Sequence, residues 1–565
     1  MEKQKRIVII GGSAAGPKAA AKARRMDQHA SIRIIQKDPD LSMASCGYPY
    51  YVGGVFDNRN QLLCTPTGVV RDPGFFLNAK GIDAVTKTEV TKIDRENSKI
   101  LARHVETGEE SEYEYDKLVI ATGASPIMPP VPGTDLEGIT TLQSMKDADF
   151  LRKVRDEGKI KKAVVVGAGL IGVETCEALQ LAGIDITVVE MLPQVLTFLD
   201  WEMAKLIENH MKSKGAHVIT ENPVESFIGE KGKLCGVKLA NGTELPCELA
   251  VVATGVRPNS GLAADAGLEV GALRGIVVNE HMQTSDPDIY AGGDCVEITN
   301  ILTGKKVHAP YGDLANIQGR IIGRNITDTS QAVFPGAIQT GICKVFDHCA
   351  GATGLSESRA KAEGFDTVSV VYAAPDKPGF MGAKPVVIKM VAEKSSGKLL
   401  GVQCVGPGDV SKRLASAAMA LHGGLTVQDL TVADLPYAPP FSPAIDNIIA
   451  VSHVLENKMQ GRMKGISCRE VKAKVDAGED VYILDNRGPD EYEQMRLGIG
   501  EVLIPLGALR KRLDELPKDK NAEIICFCKI SLRGYEAASL LEARGWTNVR
   551  VMEGGIMAWP FAREK

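Results

Sequence analysis

Two segments of the chain repeat one order of elements, and this repeat constrains the fold more than any other feature of the sequence. Each segment begins with an apolar, β-branched strand, continues through a cluster of glycines and ends in a helix. The first runs from Ile7 to Ala23 and the second from Ala163 to Leu181. This order opens a unit of two parallel strands with a helix between them. The sequence therefore predicts an α/β fold in which the unit is present twice.

The second glycine cluster has the spacing of a turn that binds a dinucleotide. Gly167 makes the tight turn, Gly169 allows the backbone to approach a pyrophosphate, and Gly172 lets the helix pack closely on the strand. Glu190 ends the next strand about 20 residues later, where a carboxylate accepts a hydrogen bond from a ribose hydroxyl and repels a 2′-phosphate. The segment predicts a Rossmann-like domain that binds NAD(H), with NADH favoured over NADPH.

The first glycine cluster departs from this pattern at two positions. Ser13 stands at the middle glycine position, and Gln36 stands where an acid would bind the ribose, although an amide can also hydrogen-bond a hydroxyl. The residues that we expect to bind a nucleotide here are Gly11, Gly12, Ser13, Ala14, Ala15, Gly16, Gln36 and Lys37. Later strands end in further turns, at Ala121-Thr122-Gly123, Gly255 and Gly293-Asp294.

Length and composition exclude several other classes of protein. The chain has 565 residues, which is typical of about four domains, and its net charge of −5 gives no indication of nucleic-acid binding. No run of about 18 apolar residues predicts a membrane helix. The N-terminal residues lead directly into a strand without a secretion signal, so we expect a cytoplasmic protein. The 12 cysteines lack the paired spacing of zinc ligands, and we expect no metal.

Two dinucleotide units, the Ala-Thr-Gly strand endings and the Gly293-Asp294 turn together resemble the flavoprotein disulfide reductases with two dinucleotide-binding domains. The resemblance implies FAD in the first site and NAD(H) in the second. It also implies that Asp294 binds the flavin side chain and that Ala315 lies at the flavin. The expected domains are FAD-binding (1–125 and 260–330), NAD(H)-binding (126–259), α+β dimerisation (331–455), a linker (456–466) and a C-terminal domain (467–565).

One cysteine, Cys46, stands in the region where two-cysteine members of that family carry a redox pair. The segment therefore resembles the single-cysteine branch of coenzyme A-disulfide reductases, NADH oxidases and NADH peroxidases. The Tyr437-to-Ser442 segment is similar to the coenzyme A-disulfide reductase segment whose tyrosine reaches the partner's cysteine, which implies a homodimer. A second tyrosine of that family is replaced here by Phe380. With one cysteine, the second sulfur of any disulfide must come from the substrate.

The first helix carries three basic residues at spacings that place them on one face, Lys18, Lys22 and Arg25. The resemblance implies that this face binds the phosphates of coenzyme A, with Ser42 and Ser45 beside its pantetheine arm. The alternative is a basic stripe that only meets solvent.

The last hundred residues resemble a single-domain rhodanese. Cys528 follows a strand and precedes a helix, where backbone N–H groups and the helix dipole stabilise a thiolate, and Arg533 adds positive charge. Cys526 lies within the strand and is expected to be buried. Ser531 replaces the usual loop glycine, and the usual Gly-His turn is replaced near Met495-Arg496-Leu497. The alternative is an inactive domain that serves for docking.

The whole chain therefore resembles the coenzyme A-disulfide reductase–rhodanese fusions. That resemblance implies an NAD(P)H-dependent flavoenzyme that reduces coenzyme A persulfide, polysulfide or coenzyme A disulfide through Cys46, with Cys528 handling persulfide and Tyr437 supplying a proton. Two alternatives remain open. One is an NADH oxidase or peroxidase in which Cys46 passes through a sulfenic acid, and the other is a sulfur carrier or sensor without reductase activity.

Overall fold

The computed structural model describes residues 4–328 and 332–564, and residues 1, 330, 331 and 565 of the predicted boundaries lie outside them. The chain forms two compact units. One contains residues 4–189 and 222–337, and the other contains residues 190–221 and 338–564. Within the described residues, no helix is both long enough and apolar enough to cross a membrane.

The first glycine segment supplies the central strand of a parallel sheet in the first unit. Ile7 and Ile9 are fully buried there, as is usual where helices cover both faces of a parallel sheet. The strand registers Ile7 opposite Ile32 on one side and opposite Lys117 on the other. The order across the sheet is Ile289–Ala291, Lys117–Ile120, Arg6–Ile10, Ser31–Ile35 and Asp83–Val85.

The second glycine segment builds a second parallel sheet in the same way. Its central strand registers Ala163 opposite Ile186 and Leu249. The predicted strand before Glu190 ends one residue earlier than expected, at Val189, and Glu190 directly follows it. In order, the sheet contains Asp185–Val189, Lys162–Val166, Leu249–Val252 and Ile139–Thr140.

Smaller antiparallel elements and the helices complete the first unit. The antiparallel strands are Thr88–Asp94, Lys99–His104 and Glu110–Glu114; Val224–Glu230, Lys233–Leu239 and Glu244–Pro246; and Ala124–Pro126 with Val256–Pro258. A small mixed sheet holds Ile276–Val277, Val296–Thr299 and Lys306–Val307. The helices are Ala15–Met26, Tyr48–Gly53, Pro73–Lys80, Met145–Glu157, Leu170–Gln180, Gly261–Asp265 and Gly312–Asn325, with short 3-10 turns at Ser45–Gly47 and Arg59–Leu62.

Two helices of the first unit pack unusually closely. We name them the first glycine helix, Ala15–Met26, and the flavin-side helix, Gly312–Asn325. A β-carbon at Gly319 would overlap the carbonyl oxygen of Ala15, and one at Gly323 would overlap that of Ala19. Glycine is therefore required for this approach.

The second unit contains an antiparallel sheet of five strands covered by helices, which is the predicted α+β domain. In order, its strands are Gly341–Val345, His348–Gly354, Leu399–Gly406, Pro385–Glu393 and Thr367–Pro375. The helices of this part are Trp201–Ser213, Glu357–Ala362, Val410–His422, Val427–Thr431 and Asn447–Met459, with a 3-10 turn at Gly379–Met381. The short strand His217–Ile219 also lies in the second unit but is not part of the antiparallel sheet. Lys389 is buried beside Asp200, Glu202 and Glu357, which hold its pKa above the ordinary value although burial opposes them.

The C-terminal part of the same unit is a parallel α/β domain. Its strands, in order, are Gly465–Ile466, Val549–Met552, Glu523–Phe527, Val481–Asp485 and Val502–Leu503. Its helices are Cys468–Asp476, Pro489–Gln494, Leu506–Leu509 and Leu532–Ala543, with 3-10 turns at Leu513–Glu515 and Gly555–Ala558.

The expected linker, 456–466, is largely ordered as secondary structure. Its first residues continue the helix that ends at Met459, and its last two form the strand Gly465–Ile466. Only residues 460–464 lie outside both elements, and Met463 among them is buried. The polar residues at the helix end, Glu456, Asn457 and Lys458, are half-buried, and the exposed polar residues begin only at Gln460, after the helix.

A buried carboxylate joins the C-terminal domain to the antiparallel domain. Glu553 is 5% exposed, accepts a hydrogen bond from the backbone N–H of Val371 at 3.0 Å and forms an ion pair with Lys458. Asn209 donates to the backbone oxygen of Pro560 at 2.6 Å, and the ring of Trp201 lies 5.7 Å from that of Phe561. The C-terminal domain is thus held by a specific polar and aromatic contact.

We expect Glu553→Ala to loosen this contact, because it leaves the buried N–H of Val371 without an acceptor and Lys458 without its ion-pair partner. The loss should be about 1–3 kcal/mol of unfolding free energy. Thermal unfolding measures it, and trypsin should cut faster at Arg462 and Lys464. Glu564→Ala is the matched control, since Glu564 is an exposed glutamate of the same domain paired with Arg496, and it should change stability by less than about 1 kcal/mol. Equal effects of the two substitutions would contradict this account of Glu553.

Candidate active site

The first glycine turn holds strand and helix in direct backbone contact. Gly11 has a φ of 106°, and a β-carbon there would overlap the carbonyl oxygen of Ala121. A β-carbon at Gly16 would overlap the carbonyl oxygen of Gly11. Ser13 is exposed in the turn, and Ala14 is the N-terminal cap of the first glycine helix, where Ala15 is buried. The turn therefore leaves backbone N–H groups at the helix start available to an anionic group.

Gln36 stabilises this turn through a side-chain hydrogen bond. Its side-chain oxygen accepts a hydrogen bond from the N–H of Gly12 at 2.7 Å, and its amide group donates to Asp38 at 3.3 Å. Both ends of the Gln36 amide are therefore engaged by protein atoms. Lys37 is exposed and forms an ion pair with Glu89 at 2.9 Å.

The later turns bring further predicted residues to the first unit. Thr122 donates its hydroxyl to the backbone oxygen of Asn259 at 2.6 Å, and Asn259 donates to the backbone oxygen of Thr122 at 2.9 Å. Gly123 has a φ of 68°, and no described atom lies within 4 Å of the position of its β-carbon. Asn259 was not expected from the sequence, because its partner is 137 residues away.

The Gly293-Asp294 turn lies against the two closely packed helices. A β-carbon at Gly293 would lie 3.3 Å from the Ala15 side chain and 3.7 Å from that of Ala315. Gln318, which is 1% exposed, accepts a hydrogen bond from the N–H of Gly293 at 2.7 Å. Burial raises the pKa of Asp294, with His308 acting in the opposite direction.

These features fit FAD in the first site. The open glycine turn can receive a pyrophosphate, and the desolvated carboxyl of Asp294 can accept hydrogen bonds from ribityl hydroxyls. Buried Ala315 provides a small apolar surface beside this turn.

The second glycine turn repeats the geometry of the first. Gly167 has a φ of 102°, and a β-carbon would overlap the carbonyl oxygen of Ala253. A β-carbon at Gly172 would overlap the carbonyl oxygen of Gly167, whereas Gly169 faces open space. This is the arrangement that a pyrophosphate requires. Gly255, with a φ of 105°, follows the neighbouring strand Leu249–Val252, and a β-carbon there would lie 3.9 Å from a methyl carbon of Ile127.

Glu190 is 8% exposed, and its carboxylate accepts a hydrogen bond from the N–H of Leu192 at 2.9 Å. That bond fixes the side chain of Glu190, whose carboxylate acts only as a hydrogen-bond acceptor. Its carboxylate disfavours a second anionic group nearby, and the ribose interaction stays a prediction.

Cys46 is exposed in the 3-10 turn Ser45–Gly47, which leads into the helix Tyr48–Gly53. A β-carbon at Gly312, the first residue of the flavin-side helix, would lie 3.7 Å from the sulfur of Cys46. The thiol is thus beside the start of the helix that carries Ala315. Desolvation, followed by the negative charges of Glu174 and Asp294, raises the pKa of Cys46.

Glu174 was not expected from the sequence. It lies in the helix Leu170–Gln180 that begins at the second glycine turn, and it accepts a hydrogen bond from the Tyr50 hydroxyl at 3.0 Å. Gly53 of the cysteine helix approaches Ala178 of the same helix, since a β-carbon there would lie 3.4 Å from the Ala178 backbone. The packing of these two helices places an acid from the second glycine unit near the thiol of the first.

Ser42 and Ser45 flank the cysteine turn. Ser42 has a φ of 53°, and its N–H donates to the backbone oxygen of Gly12 at 2.7 Å. Arg71 donates to the Ser42 backbone oxygen at 2.8 Å and to its hydroxyl at 3.1 Å. Arg71 also donates a hydrogen bond to the backbone oxygen of Cys64, so it connects the Cys64 turn to the Ser42 loop. Ser45 is exposed.

The predicted basic face is present on the first glycine helix, and the flavin-side helix enlarges it. Lys18 and Arg25 are exposed, and Lys22 is half-buried. Desolvation and then the positive charges of Arg320 and Arg25 lower the pKa of Lys22. Lys22, Arg320 and Arg324 line one cavity of about 180 Å³. Crowded cations of this kind favour an anionic ligand such as a phosphate.

Tyr437 is 55% exposed, and Phe380 is 79% exposed. Ser442, at the end of the same loop, is fully buried and donates to Asp446 at 2.9 Å. Asp446 also forms ion pairs with Lys412 and Arg413. The loop end is therefore fixed while the tyrosine ring faces outward.

In the C-terminal domain, Cys528 directly follows the strand Glu523–Phe527, and the helix Leu532–Ala543 begins four residues later. Cys526 is buried within the strand, as expected. Cys528 is also buried, with no exposed surface, so a substrate reaches its sulfur only if the loop moves. Ser531 takes a φ of 78°, the conformation that a glycine adopts freely, and its hydroxyl donates to the backbone oxygen of Met552 at 2.7 Å.

Arg533 does not offer a free positive charge to Cys528. It donates two hydrogen bonds to Glu491, at 2.6 and 2.8 Å. The hydrogen bond to Glu491 and then the charge of the Cys528 side chain raise the pKa of Arg533, so the guanidinium is shared between the two groups. The hydrogen bond from Arg533 lowers the pKa of Glu491 to about 2. The sequence could not reveal this partner, because Glu491 lies 42 residues away in the helix Pro489–Gln494.

Comparison with known proteins places these sites in one family. Residues 5–316 match pyridine nucleotide-disulphide oxidoreductases, residues 340–449 match their dimerisation domain, and residues 467–561 match the rhodanese-like domain. A protein named NADH oxidase from Methanocaldococcus jannaschii is 35% identical over 439 residues, which cover 77% of this chain and 95% of that protein. A CoA-dependent NAD(P)H sulfur oxidoreductase from Pyrococcus furiosus is 34% identical, covering 81% of this chain and 100% of its own.

The solved structure of an NAD-dependent persulfide reductase from A. fulgidus is similar over nearly the whole chain. It superposes with a TM-score of 0.93 at 43% identity, and the match covers 98% of this chain and 100% of that one. The match includes the C-terminal domain as well as the two glycine units. The chain belongs to the pyridine nucleotide-disulphide oxidoreductase family, in a form that carries a rhodanese-like domain after the dimerisation domain.

Proposed function

We propose that the protein is an FAD-dependent enzyme that uses NAD(P)H, with NADH favoured, to reduce sulfane sulfur carried by coenzyme A or polysulfide, and also coenzyme A disulfides. The observation that carries the proposal is the presence of one exposed reductase cysteine, Cys46, and a rhodanese-type cysteine, Cys528, in the same chain. The similarity to an NAD-dependent persulfide reductase over both parts supports it.

Cys46 is the residue that we propose to attack the substrate. Its thiolate attacks the sulfur bonded to coenzyme A in a persulfide, which releases hydrosulfide and forms a mixed disulfide between Cys46 and coenzyme A. Two electrons and a proton then return the Cys46 thiolate and free coenzyme A thiol. FAD, when bound, supplies the relay of those two electrons from the nicotinamide. The sum consumes one NADH and one proton per persulfide and yields NAD⁺, thiol and hydrogen sulfide.

The protein side chains have separate tasks in this scheme. Because the pKa of Cys46 is raised, its thiol stays protonated more readily than an ordinary thiol, and attack requires removal of that proton. We propose that Tyr437 of the second subunit of a homodimer handles a proton at the leaving sulfur. Its exposed ring supports this task. We also propose that the domains have the boundaries predicted from the sequence and that the protein is cytoplasmic.

Cys528 and Arg533 form the second part of the proposal. Cys528 takes a sulfane sulfur from a donor as its own persulfide, and the loop that buries it must open for this transfer. Arg533 would exchange Glu491 for the anionic sulfur or its carrier. The dipole and N–H groups at the start of the helix Leu532–Ala543 favour that negative charge.

The basic face Lys18, Lys22 and Arg25 is proposed to bind the phosphates of coenzyme A, and Arg320 and Arg324 extend it. Ser42 and Ser45, which flank Cys46, would then lie along the pantetheine arm. A CoA-dependent relative supports this part of the proposal.

A second candidate is an NADH oxidase or peroxidase in which Cys46 forms a sulfenic acid. The name of the Methanocaldococcus jannaschii relative favours it. This candidate requires oxygen or peroxide as acceptor and gives no task to Cys528.

The proposed function is tested by anaerobic oxidation of NADH with coenzyme A persulfide or coenzyme A disulfide as acceptor. We expect rapid turnover with persulfide and release of hydrogen sulfide in equal amount to NADH consumed. Cys46→Ser should abolish turnover with both acceptors, because no thiolate remains to form the mixed disulfide. Cys235→Ser, which removes another exposed thiol, is the matched control and should retain activity. Turnover that begins only when air enters would support the oxidase instead.

The role of Cys528 is tested separately. Cys528→Ser should lower sulfur transfer from thiosulfate to cyanide by at least about 100-fold and leave reduction of coenzyme A disulfide within about twofold. Cys526→Ser is the control at the buried neighbour. An equal loss of both activities in Cys528→Ser would contradict this division of tasks.

Glu174→Gln should make Cys46 more reactive, because removal of a nearby negative charge lowers the pKa of the thiol. We expect the rate of iodoacetamide alkylation of Cys46 at pH 8, followed by mass spectrometry, to rise about three- to tenfold, and the rate to level off at a lower pH. Glu230→Gln removes an equal charge from an exposed strand position and should leave the rate unchanged. A slower or unchanged rate in Glu174→Gln would show that its charge does not act on Cys46.

The double substitution Lys18→Gln and Arg25→Gln should weaken binding of coenzyme A substrates without changing the chemical step. We expect KM for coenzyme A persulfide to rise about tenfold or more, with kcat nearly constant and KM for NADH unchanged. The wild-type KM should also rise with ionic strength, because exposed charges are screened. Lys92→Gln with Lys80→Gln is a matched loss of two exposed cations. A basic stripe that only meets solvent predicts no difference between the two pairs.

A further inference from the structure

Three side chains with metal-binding atoms meet in the second unit, and none of them belongs to the sites described above. His210 lies near the end of the helix Trp201–Ser213. Asp347 and His348 lie at the hairpin that joins the strands Gly341–Val345 and His348–Gly354. Their ligand atoms all lie within 4.8 Å of one another.

Both histidine side chains approach the same carboxylate oxygen of Asp347. Nε2 of His210 is 2.7 Å from Oδ1 of Asp347, and Nδ1 of His348 is 3.4 Å from the same oxygen. The two imidazole rings stack with centroids 3.5 Å apart. Ligand atoms of a tetrahedral zinc ion at bond lengths of about 2.0 Å are separated by about 3.3 Å, so the nitrogen-to-oxygen distances are close to those of a zinc site. The two rings must move apart by about 1.5 Å, because imidazoles bound to one tetrahedral ion have centroids about 5 Å apart.

The burial of the two histidine side chains is more typical of a metal site than of an ion pair on the surface. The side chains of His210 and His348 are 10% and 26% exposed, whereas that of Asp347 is 62% exposed. The ligand nitrogens of the two rings, Nε2 of His210 and Nδ1 of His348, are themselves buried atoms.

The hairpin that carries the pair is strained. Phe346 has a φ of 55°, which costs a bulky residue of the L form on the order of 1 kcal/mol or more. Its ring lies edge-on to His210, with centroids 6.2 Å apart. The turn places Asp347 and His348 next to each other and against the helix.

We propose that His210, Asp347 and His348 form a binding site for a divalent transition metal of the zinc type, with the fourth position open to water. Two imidazoles and a carboxylate are a donor set that zinc accepts, and the absence of a thiolate among them disfavours copper(I). The site would clamp the helix Trp201–Ser213 to the strand pair of the antiparallel sheet.

One cation already competes for the proposed site. Nζ of Lys214 is 3.1 Å from the same Oδ1 of Asp347 and forms an ion pair with it. A metal ion at this oxygen must displace the ammonium group. The arrangement therefore predicts that Lys214→Gln strengthens metal binding, whereas loss of a ligand weakens it.

The proposal is tested by calorimetric titration of metal-stripped holoenzyme with Zn²⁺. The exposed thiols are first removed by Cys46→Ser and Cys235→Ser, because thiolates also bind zinc. We expect one zinc ion per chain in this background. His210→Gln and Asp347→Asn should each weaken binding about tenfold or more, and Lys214→Gln should tighten it severalfold. Zinc should also raise the thermal midpoint of the background protein and not that of Asp347→Asn.

His422→Gln is the matched control, since it removes an exposed histidine from another helix of the same unit and should leave zinc affinity unchanged. Asp347 is exposed on a turn, so Asp347→Asn keeps the test valid if His210→Gln does not fold. Absence of zinc binding in the background, or equal affinity in the ligand variants and the control, would overturn the proposal.

Discussion

Direct contact between backbones, without a β-carbon, is the constraint on which both nucleotide units depend. Gly11 and Gly16 in the first unit, and Gly167 and Gly172 in the second, occupy positions where a β-carbon would overlap a carbonyl oxygen. Each contact brings the start of a helix against the end of a strand, with its N–H groups toward the open side of the sheet. The two turns therefore share one shape although Ser13 interrupts the glycine pattern of the first.

The close packing that these turns permit also builds the cysteine site. The first glycine helix packs on the flavin-side helix through Gly319 and Gly323, and the start of the latter lies beside Cys46. The same packing brings the basic side chains of two helices to one cavity. Thus the geometry that suits a pyrophosphate also brings a thiol, an acid and a cationic surface close to it.

In the C-terminal domain, one ion pair fixes the domain to its neighbour and another engages the arginine beside the cysteine. Glu553 fixes the domain through Lys458 and the backbone of Val371, and Glu491 engages the arginine beside Cys528. Both carboxylates are partners that a sequence motif does not contain. A buried Cys528 and a paired Arg533 describe a closed site, and the sulfur transfer that we propose there requires the loop to open.

The sequence by itself determined the α/β architecture, the order of domains and the two glycine turns, and it singled out Cys46 and Cys528 as the candidate reactive cysteines. These depend on local patterns: hydrophobic periodicity, glycine spacing and residues that follow a strand. Only the tertiary structure decided that Gln36 supports Gly12, that Glu174 acts on Cys46, that Arg533 is engaged by Glu491, and that His210 meets Asp347 and His348. Those pairs join residues from 24 to more than 100 positions apart, and such separations leave no periodic signal in the chain. Packing, and the burial that shifts each pKa, arises only when distant elements come together.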